Sequence, residues 1–214
     1  MNVIDIPCRR ENFGGLRASA VKYLVIHYTA GTNDTAINNG EYFAREQIGA
    51  SAHYFVDETK VVRSVPDEYV AYHCGGNYYH HPKCRNGNSI GIEICTKWVD
   101  GEYRFAPEAV ALAQKLARQL MQKYNIPIDR VIRHWDVTHK VCPAPFVGNG
   151  QAAWDDFKGG LMLYETFENV PDWAKPSVKK LIDKGVLQGD GASLNLSQDL
   201  VRTLVILDRL GILD

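Results

Sequence analysis

The stretch Arg133-His134-Trp135-Asp136-Val137-Thr138-His139-Lys140-Val141-Cys142-Pro143 holds two imidazoles, an ammonium and a thiol between His134 and Cys142. Soft sulfur and neutral imidazole nitrogen are donors that zinc prefers. A structural zinc site takes four protein ligands, usually with a Cys-x-x-Cys pair, and the chain contains no such pair. A catalytic zinc takes three and leaves one position open for water or substrate. By spacing alone, His134, His139 and Cys142 could form that triad locally. Otherwise the third ligand comes from elsewhere, and in either case a carboxylate must come from another element.

Two elements qualify. Tyr-Leu-Val-Ile-His-Tyr over residues 23–28, followed by Thr29-Ala30-Gly31, predicts a buried central strand ending at a turn. His27 stands near its C-terminal end, where open α/β sheets place their sites; packing and coordination are both open to it. Ser89 to Cys95 alternates, with Ile90, Ile92 and Ile94 on one face and Ser89, Gly91, Glu93 and Cys95 on the other. A carboxylate between glycine and cysteine in mid-strand needs a partner or open space. The small neighbours point to a cleft.

The remaining pattern supplies the frame. Asp34 caps an expected helix running to about Gln47. Residues 52–57 and 60–65 read as a hairpin. Residues 72–88 lack periodicity yet carry His73, Cys74, Tyr78, Tyr79, His80, His81 and Cys84, which reads as a loop bordering a cleft rather than a second metal site. Pro107 to Tyr124 is a clear helix, with Pro107 in the first turn, Glu108 on the dipole and a stripe of Ala109, Leu112, Ala113, Leu116, Ala117, Leu120 and Met121. A short strand, 130–134, then delivers the opening stretch. The expected fold class is α/β: a mixed central β-sheet flanked by helices.

A length of 214 residues holds one good-sized domain and a small appendage. A formal net charge of −1 excludes binding driven by phosphate neutralisation and a polybasic membrane anchor. Residues 1–15 lack the apolar core of a signal peptide, and no run approaches a membrane span. The expectation is synthesis in a cytoplasm, without membrane insertion. Five cysteines, Cys8, Cys74, Cys84, Cys95 and Cys142, fit reduced thiols with one recruited as a ligand.

Four ordered motifs, Val25-Ile26-His27-Tyr28-Thr29, Ser51-Ala52-His53-Tyr54-Phe55-Val56-Asp57, Asn88-Ser89-Ile90-Gly91-Ile92-Glu93-Ile94 and Arg133-His134 through Lys140-Val141-Cys142-Pro143, resemble the zinc amidases of the peptidoglycan recognition protein type. These are the N-acetylmuramoyl-L-alanine amidases common among phage endolysins. The resemblance covers about Val21 to Phe157. It implies that His27, His134 and Cys142 hold Zn2+, that Glu93 is the general base, and that Lys140 stabilises the tetrahedral intermediate. It also implies that His53 and His73 line the substrate groove. The implied reaction cuts the amide between the lactyl group of N-acetylmuramic acid and L-alanine in bacterial peptidoglycan.

The boundaries that follow are a catalytic domain over 1–158, a linker over 159–169 and a small all-α helical hairpin over 170–214. In that tail, Asp172 caps a helix carrying Trp173, Val178, Leu181 and Ile182; a second opens at Ser197 with Leu200, Val201, Leu204, Val205 and Leu207. Val170-Pro171-Asp172-Trp173-Ala174 and Leu181-Ile182-Asp183-Lys184-Gly185-Val186-Leu187 resemble one S-layer-homology unit, which implies binding to a secondary cell-wall polymer or self-association. Only Arg202 and Arg209 face Asp199 and Asp208 on the second helix, so a DNA reader is a poor fit. The leading expectation is an endolysin acting at the wall after release from the host cytoplasm. The alternatives are a cytoplasmic amidase recycling muropeptides and a non-catalytic peptidoglycan-recognition module.

Overall fold

Val3–Asp5 (β1), Phe13–Leu16 (β2) and the apolar run Tyr23–Tyr28 (β3) open a computed structural model that describes residues 2–191 and 193–213. Ala36–Arg45 (α1) follows, capped by Thr35, whose hydroxyl accepts from the Asn38 amide at 3.1 Å. The expected cap, Asp34, instead accepts from the Thr96 amide and the Asn39 side chain. A second acceptor for the helix start is Asp57, whose carboxylate takes the Ala36 amide at 2.9 Å. The expected hairpin forms as Tyr54–Val56 (β4) and Val61–Arg63 (β5), antiparallel, its turn held by Asp57 Oδ1 accepting from the Thr59 and Lys60 amides.

Tyr69–Ala71 (β6) pairs with β2 in a separate two-stranded sheet. After the aperiodic loop come Ser89–Ile94 (β7) and a hairpin of Lys97–Val99 (β8) and Glu102–Arg104 (β9). Asp100 (φ 52°) and Gly101 (φ 83°) both take positive φ in its turn, the geometry favoured by the right-handed twist of the strands. Pro107–Tyr124 (α2) has the expected bounds and ends on a left-handed Asn125. Val131–Arg133 (β10), a short helix His134–Thr138 (α3) and Gln151–Gly160 (α4) complete this part.

The main sheet runs β1-β5-β4-β7-β3-β10. Strands β4, β7, β3 and β10 are mutually parallel, β5 is antiparallel to β4, and β1 is parallel to β5. Buried parallel strands read as near-continuous apolar runs, and β3 does, with five of its six residues buried. Its C-terminal end therefore opens on the same edge as those of β4, β7 and β10, the edge where α/β sheets bind ligands.

The chain divides into units over 1–158 and 159–214. The segment 159–169, expected as a linker, belongs to the second unit. There Leu163–Tyr164 (β11) pairs antiparallel with Leu196–Ser197 (β12), and Tyr164 and Phe167 pack on that unit's core. The core consists of Val170, Ala174, Val178, Leu196, Val201 and Val205. Lys175–Asp183 (α5) and Gln198–Arg209 (α6) are tied by Asp208, which accepts from Ser177 at 2.6 Å and from Lys180 at 3.0 Å. The two expected helices are thus joined by a small sheet. Trp173 precedes α5 and is exposed, so the buried contact at the helix start is Ala174; Asp172 pairs with Lys175 rather than capping the backbone. Among the described residues no helix is long and apolar enough to cross a membrane.

Candidate metal centre

Parallel register does most of the assembly. His27 on β3 is the direct partner of Glu93 on β7, and Ile26 is the partner of Arg133 on β10, so His134 follows level with His27. His134 opens α3, which lasts little more than one turn and ends at His139 in the left-handed conformation, φ 59°. The chain then doubles back, and the Trp135 amide donates to the Cys142 carbonyl at 2.7 Å. This places the Cys142 sulfur 3.5 Å from His27 Nδ1. The donor atoms of His27, His134 and Cys142 all lie within 4.8 Å of one another, and all three residues are buried.

The tautomers follow from what can only accept. A carbonyl has no proton, so the Ser89 hydroxyl must donate to the Arg85 carbonyl at 2.7 Å. Ser89 Oγ then accepts from His73 Nε2 at 3.1 Å, which leaves His73 Nδ1 as the acceptor for His27 Nε2 at 3.0 Å. His27 Nδ1 is thereby left with a free lone pair facing Cys142. His134 reaches the same state by a shorter route, its Nε2 donating to the Gly75 carbonyl at 3.3 Å. Two imidazole lone pairs and one thiol converge on one point. A tetrahedral zinc, with bonds of about 2.1 Å to nitrogen and 2.3 Å to sulfur, separates such donors by about 3.6 Å. His27 and Cys142 stand at 3.5 Å and the whole set within 4.8 Å, so it is the two neutral imidazoles with one thiol, gathered at this range, that suit the ion.

Electrostatics agree with a cation site. Burial holds His27 well below its ordinary pKa and His134 down at about 4, so both imidazoles stay neutral and able to coordinate. Burial, with Glu93 beside it, pushes the Cys142 thiol up to about 12; a bound cation is what would remove that proton. Glu93 Oε1 lies 4.0 Å from His27 Nδ1, while Oε2 is buried without a hydrogen-bond partner. Burial raises its carboxyl to about 8, against the opposing pull of Lys140. A cavity of about 380 Å³ opens over these groups, lined by Glu93, Lys140, Tyr28, Asn39, Phe43, Ser51 and Tyr72 as well as by the three donors. A carboxylate and an ammonium beside a Lewis-acid site form the set needed for hydrolysis of an amide or ester.

Of the two expected groove residues, His73 lines the cavity and His53 does not. His53 is fully buried. Its Nδ1 accepts from the Gly91 amide at 3.0 Å and its Nε2 lies against both the Arg17 guanidinium and the Tyr69 carbonyl, while burial and that guanidinium hold its pKa at about 3. It is a strap between β7 and β6. His73 borders the cavity but is only 8% exposed, because its ring packs on Gly91 and hydrogen-bonds His27 from behind. His139 is exposed, stacks face to face on His80 with centroids 3.6 Å apart and also stacks with Trp135 at 5.1 Å, so the local triad does not form. The 72–88 loop makes no metal group of its own among the described residues. Its Cys74 and Cys84 are buried in the core with Tyr23 and Val25, and all five cysteines are free.

Sequence reasoning missed Ser89, Tyr28 and Arg17. Ser89 was within reach: strand alternation placed it on the face of Glu93, two steps from Gly91. The glycine was read as clearing room for the carboxylate, whereas it clears room for His73. Arg17 gave no signal, since its partners are the Asp67, Asn86 and Ser89 carbonyls, all distant in sequence.

Comparison with known proteins gives the chain a family. Residues 17–145 match the family model described as N-acetylmuramoyl-L-alanine amidase. The N-acetylmuramoyl-L-alanine amidase BlyA of Bacillus subtilis (strain 168) is 37% identical over 166 residues, covering 72% of this chain and 44% of that protein. The amidase CwlL of Bacillus licheniformis is 35% identical over 150 residues, or 63% of this chain and 39% of that one. This chain therefore spans less than half the length of these curated relatives. A solved mutant endolysin from Bacillus subtilis superposes with a TM-score of 0.62 at 29% identity, over 75% of this chain and 99% of that structure.

Proposed function

The chain belongs to the N-acetylmuramoyl-L-alanine amidase family, and on that premise we propose that it is a zinc-dependent hydrolase of bacterial peptidoglycan, cutting the amide between N-acetylmuramic acid and L-alanine. The observation that carries the reading is the convergence of His27, His134 and Cys142 beside Glu93 and Lys140 in one cavity. Bound zinc would supply Lewis acidity, acidifying water and polarising the carbonyl.

The chain's own groups do the rest. Glu93 accepts a proton from the attacking water as its oxygen bonds to the lactyl carbonyl carbon. It holds that proton until the C–N bond breaks, and then passes it to the alanine nitrogen. Lys140 faces the same space, and its ammonium stabilises the negative charge that develops on the carbonyl oxygen. The relay Arg85–Ser89–His73 holds His27 in the coordinating tautomer throughout.

The endolysin role is part of the same proposal, supported by the likeness to the solved endolysin over 75% of this chain. The wall-directed use of residues 170–214 is proposed with it on their resemblance to an S-layer-homology unit. On this reading the protein is made in the host cytoplasm and reaches the wall after release. Zinc analysis with a turbidity assay on purified walls tests it, following newly exposed L-alanine amino groups. The expected result is about one zinc per chain and activity abolished by a chelator and restored by zinc. Cleavage confined to small muropeptides would favour wall recycling instead, and no new amino groups on either substrate would overturn the amidase.

A further inference from the structure

A second hollow, of about 720 Å³, lies within the first unit between the β8–β9 hairpin and the chain that follows Cys142. Phe105 and Phe146 meet across it at 4.9 Å, and Trp98 and Tyr103 line its hairpin side. Both walls grow directly out of the metal centre. Residues 144–147 follow Cys142 almost at once. On the other side, Tyr28, next to His27, meets Tyr103 edge-on at 5.4 Å, and Tyr103 meets Trp98 at 4.7 Å. A line of rings thus leads from the catalytic cavity, which Tyr28 borders, to a tryptophan that is 48% exposed.

The folding of the chain gives no reason for that tryptophan to face solvent. Beyond the cross-strand contact of its ring with Tyr103, the hairpin is anchored by the Trp98 amide donating to the Thr32 carbonyl at 2.7 Å and by the Lys97–Glu58 ion pair. The charges in the hollow cancel: Glu102 and Arg104 are its only ionised residues, and they face each other at 3.9 Å. The catalytic cavity, by contrast, presents Lys140 and Glu93. Stem peptides carry free carboxylates and an amine. An uncut N-acetylated glycan is neutral, because its lactyl carboxyl is tied up in the amide. Its pyranose rings also have apolar C–H faces that lose water against aromatic rings, with hydroxyl and acetamido edges left for polar neighbours.

We propose that this aromatic hollow binds the neutral glycan strand of the wall, flanking the bond that is cut, so that the chain prefers polymer over muropeptide. The inference rests on the amidase reading for its biological sense, but binding can be read without activity. The probe is the β-1,4-linked hexamer of N-acetylglucosamine, titrated into the full chain and into Trp98→Ala by calorimetry. Wild type is expected to bind it, and Trp98→Ala to bind roughly tenfold more weakly. In kinetics, Trp98→Ala raises KM on intact peptidoglycan by a similar factor with kcat unchanged, and leaves kcat/KM on N-acetylmuramoyl-L-alanyl-D-isoglutamine untouched. The proposal is overturned by absent hexamer binding in wild type, by unchanged binding in Trp98→Ala, or by equal losses on both substrates. If neither substrate is cut, the amidase reading fails while the titration alone still decides the hollow.

Discussion

His27 is the residue on which the ligand set turns, since its two nitrogens have separate duties. Nδ1 faces Cys142 and Nε2 is committed to His73. His27→Ala is expected to lose zinc and activity together, whereas His139→Ala, which removes only a surface stack, keeps the metal; elemental analysis of both variants checks this. Full zinc occupancy in His27→Ala would sink the assignment. Ser89→Ala tests the relay behind it. With the hydroxyl gone, His73 loses the partner that fixes its tautomer, and zinc affinity measured by chelator competition is expected to fall roughly tenfold to a hundredfold. Ser89→Thr keeps a hydroxyl and is expected to restore it; equal affinity in all three proteins would refute the relay. At this scale the sequence was legible where residues lie close together. His134, Lys140 and Cys142 stood out by type and spacing alone. His27, 115 positions from Cys142, was assigned only through the family resemblance, because parallel strand pairing leaves no local trace.

Among the elements, β7 carries the most. It presents Glu93 to the cavity, Ser89 to His73, and between them a glycine whose absent side chain is itself a requirement. A Cβ on Gly91 would lie 2.6 Å from His73 Cγ and 2.7 Å from Nδ1, with the ring wedged between β7 and His27. Gly91→Ala therefore forces His73 off its place, and overpacking of this kind costs about 1–3 kcal/mol. Urea unfolding of the zinc-free protein is expected to show a lowered midpoint at unchanged slope, together with weaker zinc binding. A wild-type midpoint would mean that the ring has somewhere else to go. Long periodic elements were readable in advance: α2 announced itself by Pro107 and its apolar stripe, and β3 and β7 by their runs. The β8–β9 hairpin was not, because its residues are mostly exposed and carry no apolar alternation, leaving Asp100-Gly101 as the one turn signal. The start of α1 was misread for a different reason. Asp57, from beyond the next strand, takes the Ala36 amide that Asp34 was expected to serve.

Over the whole molecule, the cost of this architecture is a group of imidazoles buried without charge. His27, His53, His73 and His134 are all held below their ordinary pKa chiefly by burial, His134 at about 4 and His53 at about 3. In the unfolded chain they protonate near 6.5. As pH falls below about 6.5, the unfolded state takes up protons that the folded state refuses, each difference worth about 1.4 kcal/mol per pH unit. Stability is therefore present in full above that value and lost progressively towards about 4 for His134 and about 3 for His53. Glu93 has the opposite sign. Its folded pKa of about 8 makes it favour the folded state in acid, a contribution lost as pH rises through that value. One carboxyl against four imidazoles leaves the sign with the imidazoles. Zinc-free protein is thus expected to unfold at lower urea at about pH 5 than at about pH 7.5. Equal midpoints at the two pH values would mean that the imidazoles take up protons without unfolding, and that the neutral cluster inferred for the metal centre is open to water.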